Sequence, residues 1–222
     1  MPRRMPRFDL HFAAEAKIAS EIVLAGERAR TIVGATGDDW TLKRLEFLYE
    51  FAYLRVFAAW EATLEAIFLR SLCGYASRAG QETLVAGAYY RSVDDAEAAV
   101  LAAEGHGRVR TYLLWHNSTQ IINRCNRHIV SGPPPALAIQ EAVIASQFAH
   151  LDALAAIRHR IVHDQWDAKT KFDTVARALA GRTYPASRPG KFLRDTDIHS
   201  NPRRKSLDTA IAELTGLVGQ MV

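Results

Sequence analysis

Leu45-Glu-Phe-Leu48-Tyr-Glu-Phe-Ala52-Tyr-Leu-Arg-Val56-Phe-Ala-Ala-Trp60-Glu-Ala-Thr-Leu64-Glu-Ala-Ile-Phe68-Leu-Arg-Ser-Leu72 contains no glycine and no proline. Its apolar positions Leu45, Leu48, Ala52, Val56, Trp60, Leu64, Phe68 and Leu72 fall three or four residues apart. That spacing lines one face of an α-helix. The pattern predicts a helix over Trp40–Tyr75, about 50 Å long at 1.5 Å per residue. A helix of that length is the central strut of a bundle.

Working outward, Asp9–Val33 reads as a first helix that ends at Gly34-Ala-Thr-Gly37, with Asp38 and Asp39 placed to cap the next one. Gln81–Arg91 carries no clear pattern. Asp94 and Asp95 cap a short helix that runs to Glu104 and stops at Gly105-His-Gly107. Arg110–Ile129 reads as a helix. Ser131-Gly-Pro-Pro-Pro135 breaks the chain, because prolines fix φ and lack an amide donor. Ala136–His163 is then a second long helix, followed by a helix at Lys171–Ala180, a loop at Gly181–Asn201 and a last amphipathic helix at Ser206–Met221. No strand alternation and no internal repeat is present. The expected fold is all-α, a helical bundle with two long antiparallel helices as its spine, packed through Trp60, Leu64 and Phe68. Residues 1–165 form the bundle, and 166–222 add C-terminal helices and a basic loop on the same domain.

Composition narrows the function classes. The chain has 222 residues, 49 % of them hydrophobic, which suits one sizeable core. No apolar run approaches the ~20 residues of a membrane span. Met1-Pro-Arg-Arg-Met-Pro-Arg7 has no secretory pattern behind it. Cys73 and Cys125 are far apart and lack metal-ligand spacing, so both read as core thiols of a cytoplasmic protein. The net charge of +4 is uneven: Arg182–Lys205 alone carries +5 and the first seven residues +3. Arg203, Arg204 and Lys205 end that basic segment. It reads either as a loop that collects phosphate backbones or as a solvated surface.

The chemistry concentrates in Ala155-Ala-Ile-Arg158-His159-Arg160-Ile-Val-His163-Asp164. On a wheel of about 100° per residue, Leu151, Leu154, Ile161 and Val162 form an apolar stripe that includes Arg158. A guanidinium there calls for a carboxylate, a phosphate or a second copy of the chain. Arg158 and His163 point about 140° apart. A twofold contact across the stripe would bring two arginines and two histidines into one cleft. Arg160 and Asp164 are spaced as an i, i+4 surface pair, and Arg160 adds to the basic, nucleic-acid-binding set.

Arg158-His159-Arg-Ile-Val-His163, preceded by the apolar Leu154-Ala-Ala-Ile157, resembles the motif of HEPN domains (higher eukaryotes and prokaryotes nucleotide-binding). That motif is an arginine, a polar residue and, after four to six positions, a histidine near the end of a long helix. Phe51–Glu65, with its Trp60-Glu61 pair, resembles the earlier long helix of the RiboL-PSP-HEPN branch. The likeness spans roughly residues 10 to 165. The family often has Asn or Asp where this chain has His159. The resemblance implies a HEPN-like bundle and cofactor-free, metal-independent RNA cleavage at a site shared by two protomers. It implies a toxin or phage-defence role, with an antitoxin or defence-system partner. Arg158 would clamp the phosphate, His163 would move the proton, and His159 would orient the site or carry a second proton.

Structural readings stand beside these. Arg158 can pair with Glu61 or another buried carboxylate, and His163 can serve as a cation at a helix C-terminus. His159 and His163 are spaced as zinc ligands, but Arg160 stands where a zinc protease needs glutamate, so no metal is expected. A non-catalytic helical dimer that binds RNA or a protein partner is the alternative to the enzyme.

Overall fold

A computed structural model describes residues 3–33, 41–104, 113–130, 143–145 and 147–222. The fold is all-α. Its helices are α1 (Phe8–Val33), α2 (Leu42–Leu72), α3 (Val93–Ala103), α4 (Ser118–His128), α5 (Phe148–Val162), α6 (Trp166–Ala180), the short α7 (Pro189–Arg194) and α8 (Ser206–Met221). The absence of strands needs one correction: β1 (Arg3–Arg4) pairs in parallel with β2 (Tyr75–Ala76). Among the described residues no helix is long and apolar enough to cross a membrane.

The helix boundaries follow from capping chemistry. The 31-residue α2 has no internal breaker. Thr41 Oγ1 accepts the Arg44 amide at its start (3.2 Å), while Asp38 and Asp39 lie outside the described residues. Ser92 caps α3 by accepting the Asp95 amide, so Asp94 and Asp95 sit in the first turn and favour the positive end of the helix. Asn117 caps α4, which makes that helix shorter than the expected Arg110–Ile129. Helix α6 begins at Trp166, five residues before the expected start, and ends on Gly181 in the left-handed conformation (φ 67°). The expected Ala136–His163 helix is also corrected. A turn at Gln147 precedes α5, Val143–Ala145 are helical, and 136–142 lie outside the described residues.

The chain forms two compact units. One comprises residues 1–11, 60–152 and 216–222; the other comprises 12–59 and 153–215. In the first, Phe68 packs on Trp115 (5.4 Å between ring centroids) and on the edge of His128, and Trp60, Leu64 and Leu72 are buried. Phe68 thus has Trp115 and His128 among its neighbours. Arg124, fully buried on α4 between Ile121 and Cys125, pairs with Glu104 and lies over the Trp115 ring (4.3 Å). Cys125 is a core thiol as expected, but Cys73 is only partly buried.

In the second unit α2 meets α5 where the Tyr53 hydroxyl donates to the Leu154 carbonyl (2.7 Å), and Leu154 and Ile157 are buried. Part of the expected 181–201 loop is regular structure. Residues Pro185–Ser187 make a 3-10 turn and Pro189 opens α7, a position where its missing amide costs nothing. Gly190 lies so close to the Glu46 backbone that a Cβ would overlap it, and its amide donates to Glu50 (2.9 Å). That contact pins α7 to α2.

Candidate functional site

The buried line of α5 is Leu151, Leu154 and Ile157, whereas Val162 is half exposed. The stripe is thus rotated from the expected one, and Arg158 lies at its edge, partly buried. Helical geometry places Arg158 about 100° from His159 and about 140° from His163. The two histidines come together. Their ring centroids are 4.6 Å apart, with planes tilted by 47°. The His163 amide still donates to the His159 carbonyl (2.9 Å), so the helical path continues through the pair. Burial, and then the neighbouring His163, hold the His159 pKa below the usual imidazole value, while Asp167 pulls the other way.

Arg160 serves the fold. Its Nε donates to the Ser187 carbonyl (3.0 Å), and its Nη1 reaches the His163 carbonyl (3.2 Å) and Asp164 (3.1 Å). Asp164 also pairs with Lys169 (3.0 Å). The Ser187 hydroxyl donates to Asp173 (2.9 Å), and both Ala186 and Ser187 hold positive φ (55° and 47°). A strained turn therefore grips the end of α5 through Arg160, so this arginine, expected to bind nucleic acid, has a fastening role in the fold. Glu50 lies nearby, its pKa raised by burial and by Glu46 and lowered by the Gly190 amide, Arg160 and Arg188.

The basic segment turns inward along most of its length. Arg182 pairs with Asp195, Arg188 with Glu46, and Arg194 with Glu27 (3.2 Å). Lys205 binds both Glu27 and the Tyr49 hydroxyl. Lys205, one of the cations expected to bind RNA, is thus engaged within the fold. Arg203 and Arg204 are exposed and make no ion pair among the described residues. Of the expected phosphate-binding cations, these two remain available.

Two features went unnoticed in the sequence. Trp166, the first residue of α6 and three positions after His163, is 79 % exposed. Tryptophan is usually well buried, so this exposure marks a surface that something could cover. In the first unit, Glu104, Gln120, Asn123, Arg124 and Arg127 line a polar cleft of about 180 Å³. The only hint of it was an arginine on the apolar face of α4. Among the described residues no three His, Cys, Asp or Glu side chains cluster as metal ligands. No protein-family model, curated protein or solved structure matches this chain.

Proposed function

We propose that this protein is a metal-independent endoribonuclease of HEPN type, a toxin or phage-defence effector that cuts RNA at a site shared by two copies. The observation that carries this reading is the imidazole pair His159–His163 at the C-terminal end of α5, starting one residue beyond Arg158. Two adjacent imidazoles, one of them held neutral at pH 7, supply the proton traffic that RNA transesterification needs. One histidine takes the 2′-hydroxyl proton as the 2′-oxygen attacks phosphorus. The bond from phosphorus to the 5′-oxygen breaks, and that oxygen receives a proton from the other histidine. The products are a 2′,3′-cyclic phosphate and a 5′-hydroxyl. Arg158 neutralises the charge that builds on the phosphoryl oxygens. Within one chain it is rotated away from the histidines, so a second copy supplies it across the Arg158 face. His163 is the main acid/base group and His159 the second proton carrier.

Purified protein incubated with RNA in EDTA tests this directly. Cleavage that leaves cyclic-phosphate ends, with DNA spared, is expected. A requirement for divalent metal, or products with 3′-hydroxyl and 5′-phosphate ends, would overturn it. The alternative is a non-catalytic helical dimer that binds RNA or a partner protein, and the angular separation of Arg158 from the histidines favours it. RNA binding or partner binding with no cleavage of varied RNAs would establish that alternative.

A further inference from the structure

Helices α1 and α2 run antiparallel in the second unit, fixed by two ties: Tyr49 donates to Glu27 (2.8 Å) and Arg55 pairs with Glu15 (2.7 Å). Ile18 and Ile22 of α1 and Phe47 and Phe51 of α2 are all exposed. Phe51 is 73 % exposed and Phe47 50 %. On α2 the positions 47, 51 and 55 follow one line at i, i+4 spacing, as do 18 and 22 on α1. The Arg55–Glu15 pair shows that the two lines adjoin. Together they form one apolar face with a charged end.

We propose that this face docks a second copy of the same chain. The four side chains expose on the order of 400 Å² of apolar surface, given the 150–250 Å² of a single phenylalanine. That is close to the apolar share of the ~800 Å² each partner gives to a standard interface. The rim selects the occupant. It carries both signs: Glu15, Lys17 and Glu21 on α1, with Lys43 and Arg55 on α2. A nucleic acid or an anionic membrane calls for a uniformly basic rim, whereas a mixed rim complements itself. A twofold axis running along the hairpin lays the isoleucine line of α1 on the partner's phenylalanine line. It also brings Glu15 opposite the partner's Arg55, and two intramolecular pairs become one alternating ring of four charges. The product is a four-helix bundle built from two hairpins. It uses no residue of α5 and does not depend on the nuclease reading.

Sedimentation of the full chain from low to high micromolar concentration tests the face. Wild-type protein is expected to self-associate, and Phe51→Glu to weaken that step by about 30-fold or more, as loss of a central aromatic anchor does. Glu15→Arg should weaken it about tenfold, and adding Arg55→Glu should restore it, because the ring of charges is rebuilt with its signs exchanged. These are surface positions, so thermal melts should stay close to wild type. Three outcomes would overturn the proposal: a wild-type monomer throughout, association indifferent to Phe51→Glu, or a double charge exchange no better than the single one.

Discussion

At the end of α5 and along residues 182–205 the sequence offers similar raw material, cationic or titratable side chains in a short span. The fold uses them in opposite ways. At the end of α5 the imidazoles of His159 and His163 lie 4.6 Å apart, and Trp166, three residues further on, is exposed. In 182–205 the arginines 182, 188 and 194 and Lys205 each meet a carboxylate. The partners of Arg188, Arg194 and Lys205 lie 142, 167 and 178 residues earlier in the chain. A charge run is thus no measure of available charge. What matters is which members the tertiary structure has already neutralised.

The sharpest test of the contrast is at α5. His163→Ala should lower RNA cleavage by roughly 10²–10⁴-fold, the usual contribution of a general acid or base, with the melting temperature nearly unchanged. Arg158→Ala should be comparably damaging, and Arg158→Lys should rescue poorly because lysine lacks the planar fork. Single-turnover rates with circular-dichroism melts would decide this, and a fall in activity that merely tracks unfolding would erase the difference between the regions.

In the basic segment the order of effects reverses. Arg188→Ala leaves the largely buried Glu46 without its partner and should cost about 1–3 kcal/mol of stability. Denaturant titration should show this loss, while RNA affinity per folded molecule holds. Lys205→Ala should behave similarly but more mildly.

A pH series addresses His159. Its folded-state pKa lies below the unfolded value of about 6.5. The unfolded chain therefore binds the proton more readily, and this residue's contribution to stability is present above about pH 6.5 and declines as pH falls through that value towards the folded pKa. If a neutral His159 is needed for catalysis, the acid limb of the single-turnover rate should fall below pH 6.5. An acid limb at or above 6.5 would separate His159 from the chemistry.

The smallest effect belongs to Arg203 and Arg204. Replacing both with alanine should change stability by under about 0.5 kcal/mol. It should flatten the logarithmic salt dependence of RNA binding by about 1–1.5, near 0.7 per phosphate contact on a single strand. An unaltered slope would place these two with the rest of the segment, as surface charge unconnected with RNA.

Much of the helical layout was legible because it depends on local spacing. The limits of α1, α2 and α8 differ from the periodic pattern by three residues or fewer. The start of α6 was not legible, since Trp166–Thr170 shows no apolar repeat. The candidate histidines could be found because four positions on one helix share a face. The fastening role of Arg160 could not, because its acceptor, the Ser187 carbonyl, is 27 residues away and belongs to a turn with strained backbone. The exposed α1–α2 face was hidden for a different reason. Phenylalanines inside a helical repeat read as core, and only the packed structure reveals which ones face outward.

The second unit joins residues 12–59 to 153–215, with the 93 residues from 60 to 152 between them. On the ribosome, α1 and the first half of α2 emerge well before α5 to α8 exist. At about 5–20 residues per second that interval lasts on the order of 5–20 s. Throughout it the Tyr53 hydroxyl has no Leu154 carbonyl to bond, and Glu27 lacks both Arg194 and Lys205. A nascent chain of this design spends its longest vulnerable period as an uncovered helical hairpin, and ribosome-associated chaperones would meet it there first.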